Sequence, residues 1–304
     1  MSVLVTGGAG FIGSNLVEDL LGSGKKVIVL DNMDTGSTSN LKDLDGNLEI
    51  IEASCVDACK FNLKPKAIYH LGIPSSSPMY KKNPLLVGEA INGTIAVFEL
   101  ARIAGCKVVY ASSSSLYSGL TPPHREDMTI QVTDYYTEAR LAIERIAELY
   151  KRLFDVPSAG MRFFSVYGPK EKAKKQYANM VSQFLWEMME GKSPVIYGDG
   201  TQTRDFTYVK DVVRALRLAM SSDYHGILNV GTGVAYSFND VIDLINQGIG
   251  SEIKPKYVDN PIKNYVSHTL AETSKTKGIL GFEARCTLND GIRSLIRFME
   301  KARL

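Results

Sequence analysis

Three side chains in the first half of the sequence have the types and spacing needed for acid/base chemistry on an alcohol. Tyr136 and Arg140 are four residues apart in a segment with helical periodicity, so they would share one helix face. Ser113 lies in the serine run that follows the apolar segment Val108–Ala111. A serine hydroxyl, a tyrosine and a fixed cation beside a hydride acceptor form a unit for alcohol oxidation, in which the tyrosine is the general base and the cation favours its phenolate.

A hydride acceptor is indicated by the start of the chain. Gly7, Gly10 and Gly13 form a G-x-x-G-x-x-G pattern between a strand-like segment and the first helical segment. These glycines allow a tight turn, a close approach to a pyrophosphate and close packing of helix on strand, and the helix N-terminus favours negative charge. Asp31 follows the next apolar run, where its carboxylate can accept both ribose hydroxyls of an adenosine. We therefore predict NAD rather than NADP; the alternatives are an ordinary glycine-rich turn and a turn cap at Asp31 beside Asn32.

The elements that position these residues form a regular series up to about residue 168. Short β-branched runs alternate with amphipathic helical patterns, which is typical of βαβ units and a parallel sheet. The predicted strands are Val3–Val5, Val27–Leu30, Ala67–His70 and Val108–Ala111, and the predicted helices are Ile12–Leu21, Leu86–Ala104 and Tyr136–Phe154. Right-handed crossovers between them give an α/β fold with a Rossmann doubly wound parallel sheet.

The second half of the sequence is less regular. Its predicted elements are helices near Asn179–Glu190, Asp211–Met220 and Leu288–Ala302, and strands near Pro194–Ile196 and Phe206–Val209. We expect residues 1–168 to form the NAD-binding domain and residues 169–304 a smaller C-terminal α/β substrate domain. Some of its segments would return to the Rossmann sheet, over the strand ends where open α/β sheets bind ligands.

Composition and charge argue against other classes of protein. The chain carries 35 basic and 33 acidic side chains, well mixed, which disfavours nucleic acid and membrane partners. The four cysteines lack zinc or disulfide spacing, His70 and His268 have no ligand-spaced partner, and no leader or long apolar segment is visible. We expect a cytoplasmic protein without a metal. One basic cluster is typical of a solvated loop: Lys170, Lys172, Lys174 and Lys175, with Glu171 among them.

With these residues in view, the chain resembles the extended short-chain dehydrogenase/reductases, and among them the nucleotide-sugar 4-epimerases of the UDP-glucose 4-epimerase type. The resemblance covers nearly the whole chain and rests on motifs in a fixed order. The motifs are TGGAGFIG at Thr6–Gly13, Asp31-Asn32, YHLG at Tyr69–Gly72, NGT at Asn92–Thr94, SSSSLY at Ser112–Tyr117, RFFSVYGP at Arg162–Pro169, GDGTQTRDF at Gly198–Phe206 and NVGTG at Asn229–Gly233.

The resemblance implies roles for individual residues, with NAD as cofactor, a nucleotide sugar (UDP-hexose) as substrate and a homodimer as the assembly. Its catalytic residues would be Ser113, Tyr136 and Arg140. Its cofactor contacts would be Gly7, Gly10, Phe11, Ile12, Gly13, Asp31, Asn32, Leu71, Gly72, Asn92, Tyr136, Arg140 and Phe164. Its substrate contacts would be Ser113, Ser115, Tyr136, Ser165 and Arg204, with the Arg204 guanidinium on the diphosphate; the alternative for Arg204 is a surface ion pair with Asp205.

The reaction implied is removal and return of hydride at C4 of the sugar, with Tyr136 moving the hydroxyl proton. Related dehydratases and decarboxylases carry acidic residues near the Ser/Thr strand end, where this chain has Ser114 and Ser115. Two alternatives remain open at this point. One is a nucleotide-sugar oxidoreductase or dehydratase, and the other is a catalytically silent protein that binds NAD and a nucleotide sugar.

Four positions depart from the family pattern. Arg140 replaces the usual lysine, Ser165 replaces an asparagine, and Ser54 replaces an acidic residue near the adenine. A second diphosphate arginine is not found around 262–264, where Lys263 could supply the charge without bidentate geometry.

Overall fold

The fold is described here from a computed structural model that covers residues 2–260 and 266–301. The strands are β1 (Ser2–Thr6), β2 (Lys26–Asp31), β3 (Leu48–Glu52), β4 (Ala67–His70), β5 (Lys107–Ser113), β6 (Ser158–Phe163), β7 (Val166–Tyr167), β8 (Val195–Tyr197), β9 (Thr203–Arg204), β10 (Thr207–Tyr208), β11 (Gly226–Val230), β12 (Tyr236–Ser237) and β13 (Lys256–Val258). The helices are α1 (Phe11–Gly22), α2 (Ser77–Lys82), α3 (Leu86–Ala104), α4 (Tyr135–Phe154), α5 (Met180–Met189), α6 (Val209–Ser221), α7 (Phe238–Ile249), α8 (Ser274–Leu280) and α9 (Leu288–Lys301).

Seven strands form one parallel sheet in the order β11-β6-β5-β4-β1-β2-β3. The chain order reverses between β1 and β4, whose last residues Thr6 and His70 lie side by side. A crevice at the carboxyl ends of these two strands is the usual ligand site of such a sheet. The predicted Rossmann doubly wound sheet is confirmed. Strand β11, from the second half of the chain, pairs with β6 and extends the sheet.

The strands of this sheet supply apolar residues to both of its faces. In β1, Val3 and Val5 pack toward α1 and α6, whereas Leu4 packs toward α3 and α4, because successive side chains of a strand point to opposite faces. A third apolar core lies among α5, α7 and α9, centred on Phe184, Ile242 and Ile292. The sheet therefore holds the ends of its strands in a fixed frame, and the second half of the chain has a core of its own.

Two features are absent from residues 2–260 and 266–301. No helix is long and apolar enough to cross a membrane. No group of three or more His, Cys, Asp and Glu side chains is placed to hold a metal ion.

His70 ends β4 inside the sheet and is fully buried. Its Nδ1 lies 2.8 Å from the Thr6 hydroxyl and its Nε2 lies 3.1 Å from the Thr94 hydroxyl. Burial, assisted by the charge of Arg140, lowers the pKa of His70 to about 3. The imidazole is therefore a neutral structural group that links β4 to β1 and α3.

Acidification should destabilise the protein through this histidine. The unfolded chain takes up a proton below the ordinary pKa of about 6.5, whereas the folded imidazole stays neutral until about pH 3. Stability is therefore lost as pH falls below that ordinary value, by about 2 kcal/mol between pH 7 and pH 5. Urea unfolding at the two pH values measures this loss. The variant His70→Gln keeps an amide between the two threonines, and its free energy of unfolding should lack the pH-dependent loss that comes from the histidine. An identical pH dependence of stability in both proteins would contradict the assignment of this loss to His70.

Candidate active site

A cavity of about 340 Å³ opens along the carboxyl ends of β1, β2, β4 and β5, which is within the usual size range of a small-molecule site. The structure brings most of the predicted site residues together around it. Those that line it are Gly7, Gly10, Phe11, Ile12, Gly13, Asp31, Asn32, Leu71, Gly72, Ser113, Ser115, Tyr136, Arg140 and Ser165.

The glycine-rich loop forms the floor of this cavity at the start of α1. Gly7 has a φ of +67°, and a Cβ there would lie 2.6 Å from the main-chain nitrogen of Gly72, so the loops after β1 and β4 touch. A Cβ at Gly13 would lie 2.0 Å from the Gly7 carbonyl oxygen. Gly10 caps α1 without a side-chain hydrogen bond, which leaves N–H groups of the first turn for an anion. This cradle fits the pyrophosphate of a dinucleotide.

Asp31 fixes a carboxylate at the end of β2, beside the glycine-rich loop. Its two oxygens accept the N–H groups of Ala9 at 2.9 Å and of Met33 at 2.8 Å. Burial raises the pKa of Asp31, and these hydrogen bonds act in the opposite direction. Each oxygen retains acceptor capacity toward the cavity, which suits a pair of ribose hydroxyls.

We expect Asp31→Ala to weaken NAD binding by about tenfold, because a charge-assisted hydrogen bond to the ribose is lost. The affinity for NADP should fall short of that for NAD by a smaller factor in the variant than in the unaltered protein, since the carboxylate no longer faces the extra phosphate of NADP. Titration of both cofactors at one ionic strength measures the two changes. The control Asp34→Ala removes an exposed carboxylate from the same cavity and should change the preference less; tighter binding of NADP than NAD by the unaltered protein would refute the role of Asp31.

Helix α4 positions Tyr136 at the other end of the cavity. Asp134 caps this helix by accepting the N–H of Thr137 at 2.8 Å, and Ser77 donates to the same carboxylate at 2.5 Å. Tyr136 is 7% exposed and lines the cavity, whereas Tyr135 is 54% exposed. The helical phase predicted from the sequence therefore agrees with the structure, because neighbouring residues differ by about 100° around a helix.

Arg140 lies one helical turn after Tyr136, and its guanidinium carbon is 4.9 Å from the centre of the Tyr136 ring. Its terminal nitrogens donate to the carbonyl oxygens of Pro74 at 2.8 Å and Ala111 at 3.2 Å. Its Nε and the Ser75 hydroxyl are buried without a partner among the described residues. Other atoms of both residues line the cavity.

Ser113 ends β5, and its hydroxyl accepts the N–H of Ser115 at 3.1 Å. Glu144 stabilises this strand end. Its carboxylate accepts the Ser112 hydroxyl at 2.6 Å and pairs with the Arg162 guanidinium at 2.7 and 2.9 Å. Glu144 does not line the cavity. The carboxylates that do are Asp31, Asp34 and Glu89, which belong to β2, the loop after it and α3.

Comparison with known proteins decides the family. Residues 3–231 match the model of the NAD dependent epimerase/dehydratase family. The chain belongs to this family. NAD is therefore its cofactor, as the sequence predicts, and the glycine-rich loop and Asp31 provide a fitting site.

Several members of the family resemble this chain over its full length. The UDP-glucose 4-epimerase of Mycolicibacterium smegmatis is 32% identical, with 98% of each chain covered. The UDP-glucose 4-epimerase of Thermotoga maritima, solved with UDP-glucose, superposes with a TM-score of 0.94 at 29% identity and covers 100% of both chains. UDP-glucuronic acid decarboxylase 1 of Arabidopsis thaliana is 32% identical over 97% of this chain and 69% of its own length.

Two predicted cofactor contacts do not lie in the cavity of this family member. Asn92 is exposed on α3; the residue of that helix that lines the cavity is Glu89, three positions earlier. Phe164 is fully buried and stacks on Tyr117, with ring centres 6.0 Å apart. Its neighbour Phe163, at the end of β6, lines the cavity instead, because successive residues of extended chain face opposite sides. Cofactor contacts by Asn92 and Phe164 therefore stay predictions that the lining of this cavity does not support.

Arg204 lies in β9, outside the lining of this cavity. Its terminal nitrogens donate to the carbonyl oxygens of Thr203, Ser267 and Val266 at 2.8, 3.1 and 2.5 Å. The alternative ion pair with Asp205 is not formed, since the buried Asp205 carboxylate accepts main-chain N–H groups of residues 232, 233 and 271. A diphosphate contact for Arg204 stays a prediction, and Lys263 lies outside the described residues.

Three of the described residues after residue 168 line the cavity and were not predicted from the sequence. They are Lys174, Tyr177 and Asn179. Asn179 also caps α5 by accepting the N–H of Val181 at 3.0 Å. The only signal for Lys174 in the sequence was the basic cluster, which is typical of solvated loops. That interpretation is wrong for Lys174, whose side chain is 16% exposed.

Proposed function

We propose that the protein is an NAD-dependent nucleotide-sugar epimerase that inverts C4 of a UDP-linked hexose, as in the interconversion of UDP-glucose and UDP-galactose or of their N-acetylhexosamine counterparts. One observation carries the proposal. Tyr136, Arg140 and Ser113 line the same cavity as the glycine-rich loop and Asp31, so an acid/base group lies in the same site as the cofactor cradle.

The side chains have separate tasks in this reaction. NAD, when bound, supplies a reversible hydride acceptor. Tyr136 removes the proton of the C4 hydroxyl and later returns it to the oxygen of the inverted sugar, so the proton count closes. The Arg140 guanidinium, whose carbon is 4.9 Å from the centre of the ring, places positive charge beside the phenolate that exists before the first transfer and again after the second. Ser113, whose oxygen accepts the Ser115 N–H, can donate its own proton to the sugar oxygen.

The surroundings of Ser113 favour epimerisation over elimination or decarboxylation. Those reactions need further acid/base groups near the sugar, and the end of β5 offers the hydroxyls of Ser114 and Ser115. Glu144, which accepts the Ser112 hydroxyl at this strand end, is paired with Arg162 and does not line the cavity. The similarity to UDP-glucuronic acid decarboxylase 1 adds a nucleotide-sugar decarboxylase to the oxidoreductase or dehydratase that the sequence left open, and together these form the second candidate.

A substrate panel tests the proposal. The purified protein with bound NAD is incubated with UDP-, GDP-, dTDP- and CDP-hexoses, and the products are scored for the 4-epimer, for loss of CO₂ from hexuronic acids and for accumulated NADH. We expect the 4-epimer of a UDP-hexose without net reduction of NAD. Carbon dioxide or stoichiometric NADH would favour the second candidate, and binding without any turnover would favour the silent binding protein.

We also propose that the protein is a homodimer, held together through α3 and α4. These helices pack side by side. They expose aliphatic side chains at Ile95 and Ile103 on α3 and at Leu149 and Leu153 on α4. A second copy of the same face would cover these groups. Sedimentation equilibrium gives the mass that decides this point.

The division of the chain at residue 168 and the cytoplasmic compartment are likewise proposals. The separate core centred on Phe184 supports a substrate domain over 169–304 with β11 returned to the sheet. The four cysteines are all free thiols, which is usual in a reducing compartment.

A further inference from the structure

We propose that Lys174, a cation from the second half of the chain that lies at the start of α1, is a diphosphate-binding residue. The diphosphate is that of NAD or that of the nucleotide sugar. The arm for the nucleotide sugar rests on the proposed function, whereas the arm for NAD rests on the family alone.

The ammonium group of Lys174 lies close to the start of α1. The Lys174 Nζ is 5.5 Å from the centre of the Phe11 ring, and Phe11 is the first residue of α1. Lys174 lines the cavity together with Phe11, Gly10 and Gly13 of the anion cradle and with Asn179, which caps α5. The positive charge therefore lies between two helix N-termini, where negative groups are favoured.

The segment that carries Lys174 is attached to the glycine-rich loop. Asn15 on α1 donates its side-chain amide to the carbonyl oxygen of Pro169 at 3.1 Å. Asn40 donates to the carbonyl oxygens of both Ala9 and Lys170, at 3.0 and 3.2 Å. These bonds fix the relative position of the cradle and the segment, so the placement of Lys174 does not depend on its own side chain.

The partners of Lys174 leave its charge available. Its Nζ is 3.2 Å from an oxygen of Glu171, a side chain that is 1% exposed. Glu171 also accepts the N–H of Asn179 at 2.8 Å and the hydroxyl of Ser182 at 2.6 Å. An ammonium group has three protons, so one bond to Glu171 leaves donors for a phosphate oxygen.

The charge of the cavity gives an independent argument. Among residues 2–260 and 266–301, three carboxylates line it, and the cations that line it are Arg140 and Lys174. Arg140 stands beside Tyr136 and gives its terminal nitrogens to two carbonyl oxygens. A diphosphate carries two negative charges, and Lys174 is the cation that the described part of the chain places next to the cradle that would hold one.

The competing explanation is that Lys174 only neutralises the buried Glu171. Two variants separate the explanations. Lys174→Met keeps most of the side-chain length and removes the charge, and the double variant Glu171→Gln/Lys174→Met also removes the carboxylate. A purely neutralising lysine would make the double variant bind like the unaltered protein, whereas a diphosphate ligand would leave it weak. The matched control is Lys172→Met, an exposed lysine of the same segment that does not line the cavity.

The test is a set of binding titrations on the full-length protein that needs no turnover. ADP and adenosine are titrated in competition with NAD, and UDP and uridine are titrated into the NAD-loaded protein. We expect Lys174→Met to weaken ADP or UDP by about tenfold or more, because a charge-assisted contact is lost, and to leave the matching nucleoside within about twofold. The salt dependence of the affected nucleotide should also become shallower.

Each outcome decides the assignment. A loss confined to ADP assigns Lys174 to the diphosphate of NAD, and a loss confined to UDP assigns it to that of the nucleotide sugar. Equal losses for nucleotide and nucleoside, unchanged binding in both arms, recovery in the double variant, or an equal effect of Lys172→Met would overturn the proposal. Absence of epimerase activity would refute the proposed function and leave the ADP arm readable.

Discussion

Replacing Tyr136 with phenylalanine should lower kcat by a factor on the order of 10²–10⁴, the usual contribution of a positioned general acid/base. The substitution removes one oxygen atom from a side chain whose ring packs edge-on against Tyr80, with centres 5.5 Å apart. The ring contacts remain, so NAD affinity and thermal stability should stay close to those of the unaltered protein. Steady-state epimerisation assays, NAD titration and a melting curve measure the three quantities.

Tyr135→Phe is the matched control for this prediction. Tyr135 precedes Tyr136 on α4 and is 54% exposed, so it loses the same atom outside the cavity. Its kcat should stay within about threefold of the unaltered value, since no reacting group is touched. Equal losses of kcat in the two variants would show that proton transfer does not depend on Tyr136.

Arg140→Ala is expected to lower NAD affinity by about tenfold or more and to lower kcat by about 100-fold. The variant removes the positive charge 4.9 Å from the Tyr136 ring. It also leaves the carbonyl oxygens of Pro74 and Ala111 without these donors, so the loop after β4 loses its tie to α4. Cofactor titration and steady-state kinetics separate the two effects.

Arg140→Lys tests which property of the arginine matters. Lysine keeps the charge near the phenol but cannot reach both carbonyl oxygens with a planar fork. We expect its kcat to stay within about tenfold of the unaltered protein, because stabilisation of the phenolate depends on charge. If Arg140→Ala equals the unaltered protein in NAD affinity and turnover, Arg140 is a bystander and the silent binding protein becomes the better hypothesis.

The sheet was predictable wherever a strand is a continuous apolar run. The strands β1, β2, β4 and β5 are such runs because helices cover both faces of the sheet. Strand β6 was not predicted, since Gly160 and Arg162 interrupt its apolar pattern. Tertiary contacts explain both residues: a Cβ at Gly160 would lie 2.6 Å from the Tyr110 ring, and Arg162 is neutralised by Glu144 on α4.

The phase of α4 was also predictable, and with it the proximity of Tyr136 and Arg140 in the site. The spacing of Tyr136 and Arg140 places them on one face of α4, and the structure finds the two side chains in contact. Residue spacing within a helix cannot predict which residues reach the cavity when their placement depends on a distant segment. Asn92 matches a family motif, yet the turn of α3 that reaches the cavity carries Glu89.

The cofactor cradle and the phase of α4 were predictable from the sequence, because each follows from spacing within one element or between neighbouring elements. Tertiary contacts were needed to show which side of β6 faces the cavity, where β11 joins the sheet and where Lys174 lies. Lys174 reaches Phe11 because Asn15 and Asn40 bind the segment after residue 168 to the glycine-rich loop. Contacts of this kind join segments far apart in the chain, and no local pattern of residue types encodes them.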